Sequence, residues 1–226
     1  MNNWMTHWPR LPVEFGESVG RRTEELYEVE DARPDGDGII EAAVLPLRDL
    51  VLYPNMVTPL FVTHPATLVA IEDSVRAGAT MIAVAQLDPE LENPQAGDLY
   101  SVATEAAVGR LMQMPDGSTS ALTQGRRRVE IIEFLPGARY LRARARIIPE
   151  SPVRDKEALA LMRAVITLFE KCVQLNRSLP EEAYLYAVNI ESPGWLADLV
   201  VSTLSLAISE RQAILETFDP ILRLQR

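Results

Sequence analysis

Cysteine is almost missing from this 226-residue chain: Cys172 stands alone, so no internal disulfide can form, which fits a reducing compartment. Lysine is nearly as scarce, with only Lys156 and Lys171 among 22 basic residues. No Gly-Lys pair occurs, which excludes a P-loop, and G-x-G-x-x-G is absent as well. The only histidines, His7 and His64, have no Cys or His partner at metal-ligand spacing, so neither a metal nor a cofactor is expected. No serine has a histidine or lysine base at a recognisable spacing, and the chain does not read as an enzyme. No apolar run is long enough to span a bilayer, and the first thirty residues lack the basic, apolar, small-residue order of a secretory signal. A cytoplasmic location is the expectation. The formal charge of −10 argues against general binding to nucleic acid or to anionic membranes.

What is present divides the chain into three zones. Residues 1–43 carry four Arg against ten Asp and Glu and read as a poorly packed acidic leader, with a weakly patterned helix at Val19–Glu30. Residues 44–149 are mainly β in character, with strand signals at Leu50–Tyr53, Thr58–Val62, Thr80–Leu87, Ala103–Met114, Ser118–Gln124, Arg127–Phe134 and Tyr140–Ile148. One helix interrupts them: Thr63 reads as its N-cap, Pro65 lies in its first turn, Leu68, Ile71 and Val75 keep helical spacing, and Gly78 stops it. Six or seven strands with one helix predict a small closed or half-closed β structure, which leaves few exposed edges.

Residues 150–226 are helical. Ala158, Leu161, Met162, Val165, Leu168, Phe169 and Cys172 fall on one stripe of a first helix, with Cys172 read as a small buried hydrophobe. A second helix opens at Pro180, a third at Ser192-Pro193, and a fourth at Ser209 with Gln212 as its capping box. Asp219-Pro220 opens a last one that has about seven residues, too few to stand alone. Either this tail frays or the chain is the front of something longer.

Arg142, Arg144 and Arg146 alternate with Leu141, Ala143 and Ala145, so period two places the three arginines on one strand face. A solvated face paired with carboxylates is favoured over a nucleic-acid patch, because no aromatics interleave to stack bases.

One stretch is specific. LPLRDLVLYPNMVTPLFV at residues 45–62 resembles the opening of the amino-terminal domain of bacterial Lon proteases. The resemblance continues through the helix Pro65–Ala77, IAVAQLDPELENP, DLYSVATEAAVGRLMQMPDGS and QGRRRVEI to SPGWLADLVVSTL, and covers about Val44–Arg226. It implies an α+β fold, a PUA-like pseudobarrel followed by a helical bundle. It also implies a non-catalytic module that recognises unfolded or degron-bearing polypeptides and helps assemble a hexamer with other Lon subunits. The AAA+ ATPase and Ser-Lys protease modules of such an ATP-dependent protease are not in this sequence. The alternative is a standalone Lon-domain scaffold that self-associates without handling substrates.

A receptor for unfolded chains needs apolar contacts that tolerate varied partners, and methionine repacks readily. The candidates are Tyr53, Pro54 and Met56 in YPNM, and Met112, Met114 and Pro115 in LMQMP. Core packing is favoured for Leu52 and Tyr53, while Met112 and Met114 are open to either reading. If the methionines are contacts, Met112→Asp with Met114→Asp weakens binding of an unfolded polypeptide and leaves the circular-dichroism melt nearly unchanged. A collapsed melt makes them core residues.

Overall fold

A computed structural model describes residues 26, 28–113, 119–136, 139–153, 155–176, 179 and 181–226. Most of the expected helix at Val19–Glu30 falls outside them, only residues 26 and 28–30 being described. The chain divides into two compact units, one reaching to Pro149 and one containing Glu150–Arg226.

The first unit is a mixed sheet of seven strands: β1 (Ile39–Leu47), β2 (Val57–Phe61), β3 (Met81–Ala85), β4 (Val102–Val108), β5 (Met112–Gln113), β6 (Thr119–Leu135) and β7 (Arg142–Ile147). β1 and β3 run parallel, and every other pair is antiparallel. β6 pairs with β4 through one part of its length and with β7 through its last part, while β7 also pairs with β1. The path β6-β4-β3-β1-β7 therefore returns to β6 and closes a five-strand ring, and closure removes those edges. β2 and β5 lie off the ring and, among the described residues, pair only with β6.

MIAVA in β3 has no alternation because both of its faces are covered. Met81 and Ala83, with Leu45, Leu47, Ala106 and Val108, form one core under helix α1 (Pro65–Ala77), where Ala70 and Ile71 pack. Ile82 and Val84 point the other way, into a core with Ile40, Val44, Val129, Ala143 and Ala145. His64 is the N-cap of α1 in place of the expected Thr63, and Gly78 closes it at φ 61°.

The strand prolines Pro46 and Pro59 sit where an N–H is not needed. Val44 N–H donates to the Leu141 carbonyl, so Pro46, two residues on, faces the same side beyond the first residue of β7. Gly125 N–H donates to the Met56 carbonyl and Val62 N–H to that of Thr119, both at 2.9 Å. Inward bonds recur every second residue, so Thr58 and Leu60 face β6 while Val57, Pro59 and Phe61 face the outer edge.

Leu50–Tyr53, expected as a strand, is instead a buried irregular segment. It ends in a turn with Pro54 second and Asn55 third at φ 63°, closed by Met56 N–H on the Tyr53 carbonyl at 3.3 Å. Proline second and a left-handed Asn third is type II turn chemistry. This turn lies on Gly125, where a Cβ would overlap the Tyr53 carbonyl oxygen. Gly125 thus keeps β6 continuous where two strands had been expected.

The acidic leader is also corrected over its described part. β1 begins at Ile39, and the segment before it is tied to the ring. Glu105, 0% exposed, accepts from Ala32 N–H and the Thr80 hydroxyl at 2.7 Å each and pairs with Arg127 at 2.5 Å. Arg127 also donates to the Ala32 carbonyl, and Arg126 to those of Leu26 and Val29. The register of β4 with β6 slips between Glu105 and Ala106, so both Arg126 and Arg127 are opposed there to one step of β4. Leu26 packs on Ala107 and Leu122.

The second unit holds α2 (Lys156–Leu175), α3 (Glu181–Val188), α4 (Pro193–Thr203), α5 (Ile208–Leu215) and α6 (Pro220–Gln225). Its core stripe on α2 is Ala158, Met162, Phe169 and Val173. Leu168 and Cys172 are exposed, against expectation: burial follows the residues that meet α3 and α4, which rotates the stripe. The N-cap of α5 is Ala207, whose N–H donates to Glu210 at 2.9 Å, so Ser209 lies inside the helix. α6 is pinned by Leu224 in the core and by Arg223, 0% exposed, which meets Asp198 at 3.4 Å and the Glu150 carboxylate. Gly194 leaves the space for this contact, since a Cβ there would strike Arg223 and Glu150.

Gly125→Ala should cost about 1–3 kcal/mol through forced displacement of the Tyr53 turn, with Gly36→Ala, which meets no atom within 4 Å, as the near-neutral control in urea titrations. Glu105→Gln strands the Arg127 charge and should cost about 2–3 kcal/mol, reduced from a fully buried pair because Arg127 is partly solvated. Hydrogen exchange should show the loss first at the Ala32 amide.

Candidate functional site

Along β2, Leu60 turns into the core beside Ala121, and its neighbour Phe61 is turned the opposite way by the two-residue period. Phe61 registers with Ser120 of β6, and Ser120 registers with Met112 of β5. The three share one face in one cross-strand row. Strands lie about 4.8 Å apart, so Phe61 and Met112 stand about 10 Å from each other with the small Ser120 between them. The next rows are Pro59 with Leu122 and Val57 with Gln124. Phe61 is 68% exposed and Val57 36%, whereas Leu122 is covered. Met112 is half-buried. Among the described residues the result is a small apolar shelf confined to the β2 margin, since Ser120, Leu122 and Gln124 on the same face of β6 are all covered.

The sequence candidates do not all gather here. Tyr53 is 1% exposed and Pro54 is buried, so their candidacy as surface contacts is corrected: both are held inward by the turn seated on Gly125. Met56 is half-buried against the α1 core, on the opposite face of the sheet from Met112. Met114 and Pro115 lie outside the described residues. Leu111 packs on the α1 core and Met112 faces away from it, as alternation requires. Phe61 was missed. The signal for it is the two-residue period, since a strand that buries Leu60 turns Phe61 outward.

The arginine face is paired with carboxylates: Arg142 with Glu41 and Arg144 with Glu133 at 2.8 Å each, and Arg146 with Glu130 at 3.9 Å. The Glu133 hydrogen bond raises the pKa of Arg144. Asp35 is held below the ordinary carboxylate value by the N–H groups of Ile39 and Asp37, and then by Arg144. Within the second unit a cavity of about 510 Å³ is lined by Trp195, Pro152, Pro193, Pro220, Glu150 and Glu191 among others. Among the described residues no cluster of His, Cys, Asp or Glu could hold a metal, and no helix is long and apolar enough to cross a membrane.

The architecture is that of solved Lon N-terminal domains. The N-terminal domain of Mycobacterium avium complex Lon protease matches with a TM-score of 0.67 at 24% identity, covering 82% of this chain and 94% of that one. The Lon N-terminal domain protein from Xanthomonas campestris matches with a TM-score of 0.56 at 18% identity, over 82% and 95%. Among curated proteins, Lon protease 2 of Herpetosiphon aurantiacus is 42% identical over 187 residues, and Lon protease of Azospirillum brasilense 37% over 183. These alignments take in 83% and 81% of this chain but 23% of each relative. The sequence model of the ATP-dependent protease La (LON) substrate-binding domain matches residues 41–226. This chain belongs to that family.

Proposed function

We propose that this chain is the non-catalytic module through which an ATP-dependent Lon-type protease of the cytoplasm first holds its polypeptide substrates. The chain spans 23% of its relatives' length, so ATP hydrolysis and peptide cleavage belong to modules outside this sequence. The observation that carries the reading is the row Phe61–Ser120–Met112, an exposed aromatic and a methionine fixed on the strands of a closed sheet. Unfolded or damaged proteins differ from folded ones in exposing apolar side chains, and a shelf of this kind gains by covering them. Phe61 supplies a large flat contact, and Met112 adapts to its neighbours. Other Lon subunits are the second class of partner, reached through the parent assembly.

The charge pattern supports proteins over nucleic acid as ligands, because the three alternating arginines are already matched by carboxylates. A self-associating scaffold is the competing reading, and it needs no affinity for unfolded chains.

Titration with a fluorescently labelled, permanently unfolded protein and with a folded control separates the two. Binding of the unfolded form alone is expected, weakened about tenfold or more by Phe61→Asp with an unchanged melting temperature. Equal response to both ligands, or to neither, rejects the recruiting role.

A further inference from the structure

We propose that an extended segment of the substrate adds as a strand to the outer edge of β2, so that its backbone as well as its side chains is held. The inference rests on the substrate-recruiting reading above and specifies how the shelf is used.

β2 pairs with β6 alone among the described residues. The bonds at Met56 and Val62 fix which of its backbone groups point outward: those of Val57, Pro59 and Phe61. Together they offer three carbonyls and two N–H groups, proline having none. An array of alternating donors and acceptors at strand spacing is complementary to another extended backbone. It is blind to sequence, which suits a receptor for many different unfolded chains. The residues of the added strand opposite Val57, Pro59 and Phe61 would share their face and extend the shelf outward by one strand, beside Phe61. The preferred segment therefore has apolar residues at alternate positions and no proline.

Pro59 also argues against a second copy of this chain as the occupant. Proline on an edge strand is a device against edge-to-edge pairing. A two-fold axis that pairs β2 with β2 over its whole length sets Pro59 opposite Pro59, with two carbonyls facing each other and no N–H between them. A foreign strand loses only the one bond from the missing N–H. Self-pairing is penalised more than substrate pairing, so the proline works as a filter.

The test uses the whole chain and three synthetic eight-residue peptides of alternating valine and threonine, labelled for fluorescence anisotropy. One is unmodified; the second is N-methylated at the amides of the valine edge, and the third at those of the threonine edge. Side chains are the same in all three, so they differ only at the backbone amides, and each methyl group both removes a donor and blocks that edge. Methylation on one edge should weaken binding at least about tenfold, and methylation on the other less than about threefold. Pro59→Val, which restores the missing N–H, should tighten binding of the unmodified peptide and produce a concentration-dependent dimer in sedimentation. If both methylated peptides bind as well as the unmodified one, or lose affinity equally, strand addition is wrong while the apolar shelf stands. If the unmodified peptide and the labelled unfolded protein both fail to bind, the recruiting role falls with it.

Discussion

A single buried carboxylate organises the β unit. Glu105 is fully covered, and its oxygens take up the Thr80 hydroxyl, the Ala32 amide and the Arg127 guanidinium. A carboxylate out of water is costly unless it is paired and hydrogen-bonded, so all three partners must be in place together. They come from the start of β3, from the chain before β1 and from the bulged region of β6. That carboxylate therefore joins separate parts of the ring and sets the path of an acidic segment that has little apolar content of its own. The second unit repeats the device in miniature, with Arg223 buried on Asp198 and Glu150 and a glycine leaving room for it.

The length of β6 then decides what the sheet can present. By pairing with β4 and β7 it closes the ring, and by extending beyond that at its start it carries β2 and β5 as outriggers. Within the ring β3 and β4 are buried on both faces, and the exposed positions of β1, β6 and β7 are mostly charged and paired, as at Glu41, Glu133 and Arg146. On β2 one face is covered at Leu60 and the other is open at Val57 and Phe61, and among the described residues its outer edge is unpaired as well. The apolar shelf lies there, outside the closed ring.

Much of this was legible in the residues. Alternation placed Met112 opposite Leu111 and put the three arginines on one face, because period two is a property of extended backbone and needs no tertiary information. The α1 stop at Gly78 and the caps at Ser192 and Asp219 were readable for a similar reason: capping is satisfied within a few residues. The errors have a common cause. The favoured core reading of Tyr53 holds, whereas Pro54, read as a contact, is buried with it because the turn is seated on Gly125, far away in sequence. Cys172 looked buried because α2 has apolar residues on more than one face, and only the neighbouring helices choose among them.

The sequence by itself determined the family, the β-then-helical order, and the side of each strand on which a residue lies, since these follow from local pattern and from motifs that survive in order along the chain. Only the tertiary structure decided that β6 is one strand, that Glu105 is the internal anchor, and that Phe61 rather than Tyr53 is exposed beside Met112's row. Those outcomes depend on long-range register and on which surfaces cover each other. A buried carboxylate and an exposed one are spelled with the same residue, and the difference lies in partners that the chain brings from 22 to 73 positions away.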